Sequence, residues 1–123
     1  TDVTGFGLLG HLMEVCKGSG VAATLDFPGL PLLPHALDLV RAGNVTGASG
    51  RNWASYGERV ALAPGLGEAE RALLCDPQTS GGLLVSCSAD TVTEVLSIFL
   101  QQGFNHAAVI GEIAAGAPAI TVA

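Results

Sequence analysis

Residues 1–12 read TDVTGFGLLGHL, and the rest of the chain is organised around this stretch. It combines one carboxylate, Asp2, with small hydroxyl residues, a glycine turn and the start of an apolar helix. A carboxylate suits a hard cation such as Mg²⁺. A glycine turn lets a phosphate or a neighbouring backbone approach closely, and the helix that follows directs free N–H groups to the same place. Asp2 is therefore a candidate metal ligand, and Thr4, Gly5 and Gly7 are candidate phosphate-contacting residues.

The glycines at positions 5, 7 and 10 also match the G-x-G-x-x-G pattern of dinucleotide-binding proteins. That fingerprint needs a strand directly before it and an acidic residue about 20 residues further on. Asp26 nearly meets the second condition, but only residues 1–4 precede the turn. The chain is also short for two mononucleotide-binding halves. The sequence therefore argues against an NAD site, which titration with a nicotinamide cofactor would test.

The composition predicts one domain, because 123 residues with 49% hydrophobic content are enough for a core. The net charge of −6 and only five scattered Lys and Arg residues argue against nucleic-acid binding, which needs clustered positive charge. No apolar run approaches the roughly 18 residues of a membrane span. The chain begins with Thr rather than Met, so we expect it to be a piece of a longer protein.

The three cysteines, Cys16, Cys75 and Cys87, lie in apolar stretches and lack C-x-x-C spacing. An odd number without that spacing predicts neither a disulfide framework nor a zinc site. We expect three buried thiols in a reducing compartment. No Lys, Arg or His arrangement that would clearly lower a thiol pKa flanks them, so no catalytic cysteine is expected.

The hydrophobic pattern predicts an α/β (α+β) fold in which a small mixed β-sheet of about four strands is flanked by helices. Thr4 is the expected N-cap of the first helix, with His11, Glu14 and Lys17 on its solvated face. The first helix is expected to stop at Gly18 and Gly20. The elements predicted after it are, in order, a strand at 21–27, a helix at 34–42, a loop at 44–57, a strand at 59–63, a helix at 68–75, a strand at 83–87, a helix from Ser88 to Gly103, and strands at 107–114 and 119–122. A hairpin turn at 116–118 is expected to join the last two strands.

Two stretches allow both a functional and a structural interpretation. Residues 76–82, DPQTSGG, form a turn that either presents backbone N–H groups to an anion or only connects a helix to a strand. The loop at 44–57 carries Trp53 and Tyr56, which either face a partner or fill the edge of the core.

Three phrases resemble a known family. TDVTGFGLLGHL at 1–12 and LCDPQTSGGLL at 74–84 are similar to the two signature stretches in the C-terminal domain of selenophosphate synthetase (selenide, water dikinase). RNWASYG at 51–57 resembles an intervening third stretch, and the likeness covers the whole chain in the same order. The family belongs to the aminoimidazole ribonucleotide synthetase superfamily, whose members pair an N-terminal ATP-binding domain with an α/β C-terminal domain.

The resemblance implies that residues 1–123 form the C-terminal domain of a two-domain, cytoplasmic, homodimeric enzyme. That enzyme converts selenide, ATP and water into selenophosphate, AMP and phosphate with Mg²⁺, and Asp2 occupies the position of a magnesium ligand. The family's Cys or selenocysteine nucleophile, the neighbouring Lys and the nucleotide loop belong to the N-terminal domain, which binds most of the ATP. No catalytic residue is therefore expected here, and this chain alone is expected to be inactive.

Two alternatives accompany this interpretation. One is a purine-pathway or hydrogenase-maturation relative in the same superfamily, against which the complete DPQTSGG phrase at 76–82 argues. The other is a non-catalytic binding or dimerisation module. The residues upstream of Thr1 would distinguish all three, because only a selenophosphate synthetase would carry a Cys or selenocysteine beside a Lys in a glycine-rich loop.

Overall fold

A computed structural model describes all 123 residues as five α-helices and one four-stranded sheet. The helices are α1 (Gly7–Ser19), α2 (Ala36–Arg41), α3 (Gly47–Tyr56), α4 (Glu68–Leu74) and α5 (Val92–Gln101). The strands are β1 (Val21–Leu25), β2 (Val60–Leu62), β3 (Gly111–Ala115) and β4 (Ile120–Val122). The predicted α/β fold with a small mixed sheet of four strands is confirmed.

The sheet has the strand order β2-β4-β1-β3. β1 pairs with β3 in antiparallel and with β4 in parallel orientation, and β4 pairs in parallel with β2. A side chain at Gly111 would overlap the Thr24 carbonyl, so a glycine lets β3 approach β1. The predicted hairpin between the last two strands is wrong, because β3 and β4 lie on opposite sides of β1 and each pairs with it.

Helix α1 packs against the sheet and forms the centre of the core. Its apolar residues recur at helical spacing, and the helix ends at Gly20, which adopts the left-handed conformation and donates its N–H to the Cys16 carbonyl. The core cluster comprises Leu9, Leu12, Met13, Cys16, Ala23, Leu25, Tyr56, Leu74, Cys75, Ile120 and Val122. Most of the core therefore comes from α1, the central strands β1 and β4, and the ends of α3 and α4.

Two predictions about α1 are wrong. The helix begins at Gly7 with Phe6 at the N-cap position, so Thr4 does not cap it. His11 is buried, although Glu14 and Lys17 on the same face are exposed. The physical reason in both cases is one contact, because the Thr4 hydroxyl lies 3.1 Å from the His11 Nε2 atom and holds the ring against the protein.

Three further predictions are corrected outside α1. Residues 47–56 form helix α3 rather than a loop. Residues 83–87 form no strand, because they pair only through a single bridge between Leu83 and Asp2. Cys87 lies in that exposed segment and is itself exposed, whereas Cys16 and Cys75 are buried as predicted.

Helix α5 forms where the sequence predicts it, but it contains no buried residue. Its predicted apolar stripe is only half-buried and consists of Val92, Val95, Leu96 and Phe99. Indeed, no residue between Asp76 and Ala119 is buried. None of the five helices is both long enough and apolar enough to cross a membrane.

Candidate functional site

The first four residues run alongside the end of the DPQTSGG turn. Three backbone N–H groups, those of Leu84, Val3 and Gln78, donate to the carbonyls of Thr1, Gly82 and Thr4 at 2.8, 3.0 and 3.0 Å. A side chain at Gly81 would overlap the Val3 carbonyl, so only glycine permits this approach. The first and last family-like phrases, far apart in sequence, are therefore neighbours in space. The Gln78 N–H is engaged in this pairing, which gives the turn a structural role.

Asp2 is presented to solvent by this pairing. Successive side chains in an extended segment point to opposite sides. Val3 is buried, with 5% of its surface exposed, and Asp2 on the other side is exposed. Asp2 also forms the bridge to Leu83, so its backbone is held in place while its carboxylate is free to contact a ligand.

The glycines of the first turn differ in their roles. Gly7 is buried at φ +69°, and a Cβ atom there would lie 2.6 Å from the carbonyl carbon of Cys75. A Cβ atom at Gly10 would lie 2.8 Å from the Tyr56 ring. Gly5 is exposed and has open space around it. Of the candidate phosphate-contacting residues, Thr4 and Gly5 therefore face solvent, whereas Gly7 faces the end of α4.

Helix α3 connects this turn to α4 through two buried side chains. The Asn52 Nδ2 atom donates to the carbonyls of Gly5 and Cys75, at 2.9 Å each. The Tyr56 hydroxyl donates to the Phe6 carbonyl at 2.6 Å. Burial raises the pKa of the Tyr56 phenol far above its usual range, so the hydroxyl keeps its proton and acts as a donor. All three family-like phrases therefore meet at one place.

The aromatic residues of α3 fill the edge of the core, which confirms the structural interpretation of that pair. Tyr56 is buried within the core cluster, and Trp53 packs against it. The Arg71 guanidinium lies 5.4 Å from the centroid of the Trp53 ring, which is a cation–π distance.

His11 is part of the site, although the sequence analysis placed it on a solvated face. Its Nε2 atom is 3.1 Å from the Thr4 hydroxyl, and its ring lies 5.7 Å from that of Phe6. The Nδ1 atom is buried without a hydrogen-bond partner and lies 3.6 Å from a Glu14 carboxylate oxygen. That negative charge favours a proton on Nδ1, so the Thr4 hydroxyl then donates to Nε2.

Comparison with known proteins identifies the family. Residues 1–122 match the model of the AIR synthase related protein, C-terminal domain. The chain belongs to this family. It is 66% identical over 122 residues to the selenide, water dikinase of Dechloromonas aromatica, an alignment that covers 99% of this chain and 35% of the relative. It is 58% identical to the selenide, water dikinase of Pseudomonas straminea, with 99% of this chain and 34% of the relative aligned. It is 47% identical to that of Rhizobium meliloti, with 99% of this chain and 35% of the relative aligned. The chain thus spans about one third of the length of these relatives.

The donor set of this AIR synthase C-terminal domain fits a shared metal site. No cluster of three or more His, Cys, Asp or Glu side chains able to hold a metal ion lies within the chain. Mg²⁺ commonly binds through one or two carboxylates together with waters and substrate phosphates. A single exposed carboxylate on a fixed backbone, as at Asp2, fits that requirement if the other ligands come from outside the domain.

Sequence reasoning missed two buried polar side chains of the site, His11, which contacts Thr4, and Asn52, which joins the first turn to the end of α4. His11 was assigned to the solvated face because it shares that face with the charged residues Glu14 and Lys17, which are exposed. The role of Asn52 was not predicted because the sequence around it is rich in Gly and Ser, which are typical of a loop. The spacing of three and four between the buried residues Ser49, Asn52 and Tyr56 is helical, and it is the signal that could have located the inner face of α3.

Proposed function

We propose that this chain is the C-terminal domain of a selenide, water dikinase. Its N-terminal partner domain would bind ATP and supply the nucleophile, and the whole enzyme would form selenophosphate, AMP and phosphate from selenide, ATP and water. One observation carries the proposal. The three family-like phrases meet at the turn that follows the exposed Asp2, in a chain that matches one third of relatives bearing this name.

In this proposal Asp2 is the magnesium ligand that the domain contributes. Mg²⁺ bound there would offset the negative charge on the phosphate oxygens during phosphoryl transfer. The pairing with residues 82–84 holds Asp2 at the surface, and the exposed Thr4 and Gly5 lie on the phosphate side of the turn. Phosphate contact at these two positions would use the backbone N–H groups of Thr4 and Gly5, because the Thr4 hydroxyl is engaged by His11.

None of the three thiols is proposed as a nucleophile. Burial raises the pKa of Cys16 and of Cys75, which disfavours the reactive thiolate. Cys87 is exposed but lies beyond the three phrases. The chain alone should accordingly show no ATP turnover above a heat-inactivated control, and measurable turnover would contradict the proposed division of labour.

The test is Asp2→Asn in the full-length enzyme. Asparagine has nearly the same shape but lacks the negative charge that balances Mg²⁺. We expect a near-normal melting temperature, a raised Mg²⁺ requirement and a loss of kcat of about a hundredfold or more, because metal-based charge stabilisation is worth several kcal/mol.

Asp38→Asn is the matched control, since Asp38 is an exposed carboxylate on α2, outside the three phrases. It should leave turnover and the Mg²⁺ requirement unchanged. Wild-type turnover of the Asp2→Asn enzyme at limiting Mg²⁺ would remove Asp2 from the mechanism and leave the domain as a scaffold.

A further inference from the structure

We propose that Asn52 is the positioning residue of this site, which locks the Asp2 segment to the DPQTSGG turn. The inference deepens the proposed function and rests on it for the role of Asp2. Its basis is the geometry of one buried side chain that lies in the middle family-like phrase and contacts both the first and the last.

The Asn52 amide joins two segments that are far apart in sequence. Its Nδ2 atom is 2.9 Å from the Gly5 carbonyl oxygen and 2.9 Å from the Cys75 carbonyl oxygen, 47 and 23 residues away respectively. Both partners are acceptors, so the contacting atom must be the amide nitrogen with its two protons. The residue is 9% exposed, so water has little access to replace these bonds.

The two carbonyls need this donor. Cys75 is the C-terminal cap of α4, where carbonyls have no partner within the helix. Gly5 precedes α1 and lies outside any strand. No turn or loop N–H group and no other side chain donates to either oxygen. Loss of the amide would leave the buried Cys75 carbonyl without a partner, which is unfavourable, and would release the Gly5 carbonyl from α3.

The amide also closes a ring of contacts that includes the backbone next to Asp2. The Asn52 amide donates to the Gly5 carbonyl, and the carbonyl of the adjacent Thr4 accepts the N–H of Gln78. The chain leads from Gln78 back to Cys75, whose carbonyl accepts the second hydrogen bond of Asn52. A shift of either phrase relative to the other would break at least one bond of this ring. Asn52 thereby fixes the position of the segment that carries Asp2 without reaching the solvent itself.

Few side chains would satisfy both carbonyls. Leucine is similar in size but has no donor. Aspartate has the same shape, but its ionised carboxylate would face two carbonyl oxygens with no proton to share. The site therefore requires the amide for its two donors as well as for its volume.

The experiment compares Asn52→Leu with the wild type in the full-length enzyme. We expect hydrogen exchange at residues 2–7 and 75–82 to accelerate about tenfold or more, because these segments lose the bonds that hold them closed. The Mg²⁺ concentration for half-maximal activity should rise about tenfold and kcat should fall, as is typical when a group that orients a metal ligand is removed. The KM for ATP should stay unchanged, since the other domain binds the nucleotide.

Two controls separate positioning from general stability. Ser55→Ala removes a hydrogen bond on the same helix, to the Asn52 carbonyl at 2.8 Å, without touching either phrase. Ile120→Val trims a buried residue of β4 and lowers the melting temperature at a distance from the ring. Neither should alter exchange in the two segments or the Mg²⁺ requirement. If Asn52→Leu fails to fold, Asn52→Ala, which removes the donor without adding bulk or charge, provides the same comparison.

Wild-type exchange in both segments, or an unchanged Mg²⁺ requirement despite faster exchange, would overturn the proposal. The proposal would also be overturned if Ile120→Val and Asn52→Leu had equal melting temperatures and lost the same amount of activity. The Asp2→Asn variant tests the proposed function separately. Full turnover of that variant rejects the metal role of Asp2, whereas loss of turnover there with a silent Asn52→Leu rejects only the positioning role.

Discussion

The three family-like phrases and the segment that follows them are built in different ways. Three side-chain hydrogen bonds in the signature region, defined as residues 1–12, 51–57 and 74–84, join residues 23, 47 and 50 positions apart. In the outer segment, residues 85–109, every hydrogen bond joins residues no more than five positions apart. The signature region is thus held by hydrogen bonds between distant residues, whereas the hydrogen bonds of α5 and its flanking turns are all local.

Burial follows the same division. Leu9 and Cys75 in the signature region have no exposed surface, whereas nothing in the outer segment is buried. The main aromatic contact there, between Phe99 and Phe104 at 6.2 Å, is again local. Substitutions should therefore have large effects in the first region and small effects in the second.

Gly7→Ala should have the largest effect. The new methyl group would sit 2.6 Å from backbone atoms of Cys75, which cannot rotate away, and the backbone is in the left-handed region. We expect a loss of about 4 kcal/mol or more in unfolding free energy, measured by urea denaturation of the 123-residue chain. Gly20→Ala is the matched control, since Gly20 has φ +65° but open space around it, and should cost only about 1 kcal/mol. Equal losses would show that the contact between the turn and α4 is not tight.

Leu9→Ala compares packing in the two regions. Leu9 is fully buried against the sheet, so we expect a loss of about 3 kcal/mol from lost burial and the cavity left behind. Ile98→Ala in α5 removes a side chain that is 54% exposed and should change stability by less than about 0.5 kcal/mol. A large loss at Ile98 in the same urea titration would mean that α5 is buried against something in solution.

Thiol labelling measures the same contrast without mutation. Cys87 in the outer segment is exposed and should react as fast as a free thiol. Cys16 and Cys75 are fully buried, and burial raises the pKa of both thiols, so they should react at least about a hundredfold more slowly. Mass spectrometry of peptides from native and denatured samples would report each rate. Rapid native labelling of Cys75 would contradict the packing of α4 against the first turn.

The sequence predicted most elements, since local signals determine them. The helical repeat of α1, the Gly20 stop and the alternation in β1 are properties of short segments. The sheet order was not predictable in the same way. Gly116-Ala117-Pro118 is typical of a hairpin, but partner choice depends on which strand lies between β3 and β4 in three dimensions.

The candidate site was predicted by similarity rather than by periodicity. The phrases themselves located Asp2, because a carboxylate before a glycine turn has a recognisable chemistry. Their convergence was not visible, since it depends on polar contacts between the phrases, such as those of Asn52 and Tyr56. Polar residues on an inner helix face do not contribute to a hydrophobic repeat, so α3 was mistaken for a loop.

The smallest expected effect concerns Glu70, a 10% exposed carboxylate at the start of α4, beside the signature region. Its two oxygens accept hydrogen bonds from Arg41 at 2.8 Å and from the Gly67 N–H at 2.9 Å. The Arg41 bond, followed by backbone bonds, lowers the pKa of Glu70 below its ordinary value of 4.5. A lowered pKa stabilises the fold at pH values above the pKa that Glu70 has in the unfolded chain, and this stabilisation is lost as the pH falls through the pKa of the folded state.

Glu70→Gln keeps a side chain that can accept from Gly67 but removes the charge facing Arg41. We expect it to cost about 1 kcal/mol at pH 7, because Arg41 is largely solvated, and almost nothing at acid pH where wild-type Glu70 is protonated. Glu68→Gln on the same helix is the control, since Glu68 is 92% exposed and 3.6 Å from Arg71, and it should be neutral at both pH values. Urea titrations of the three proteins at pH 7 and at acid pH give the comparison, and an equal cost of Glu70→Gln at both would show that hydrogen bonding, and not charge, joins α2 to α4.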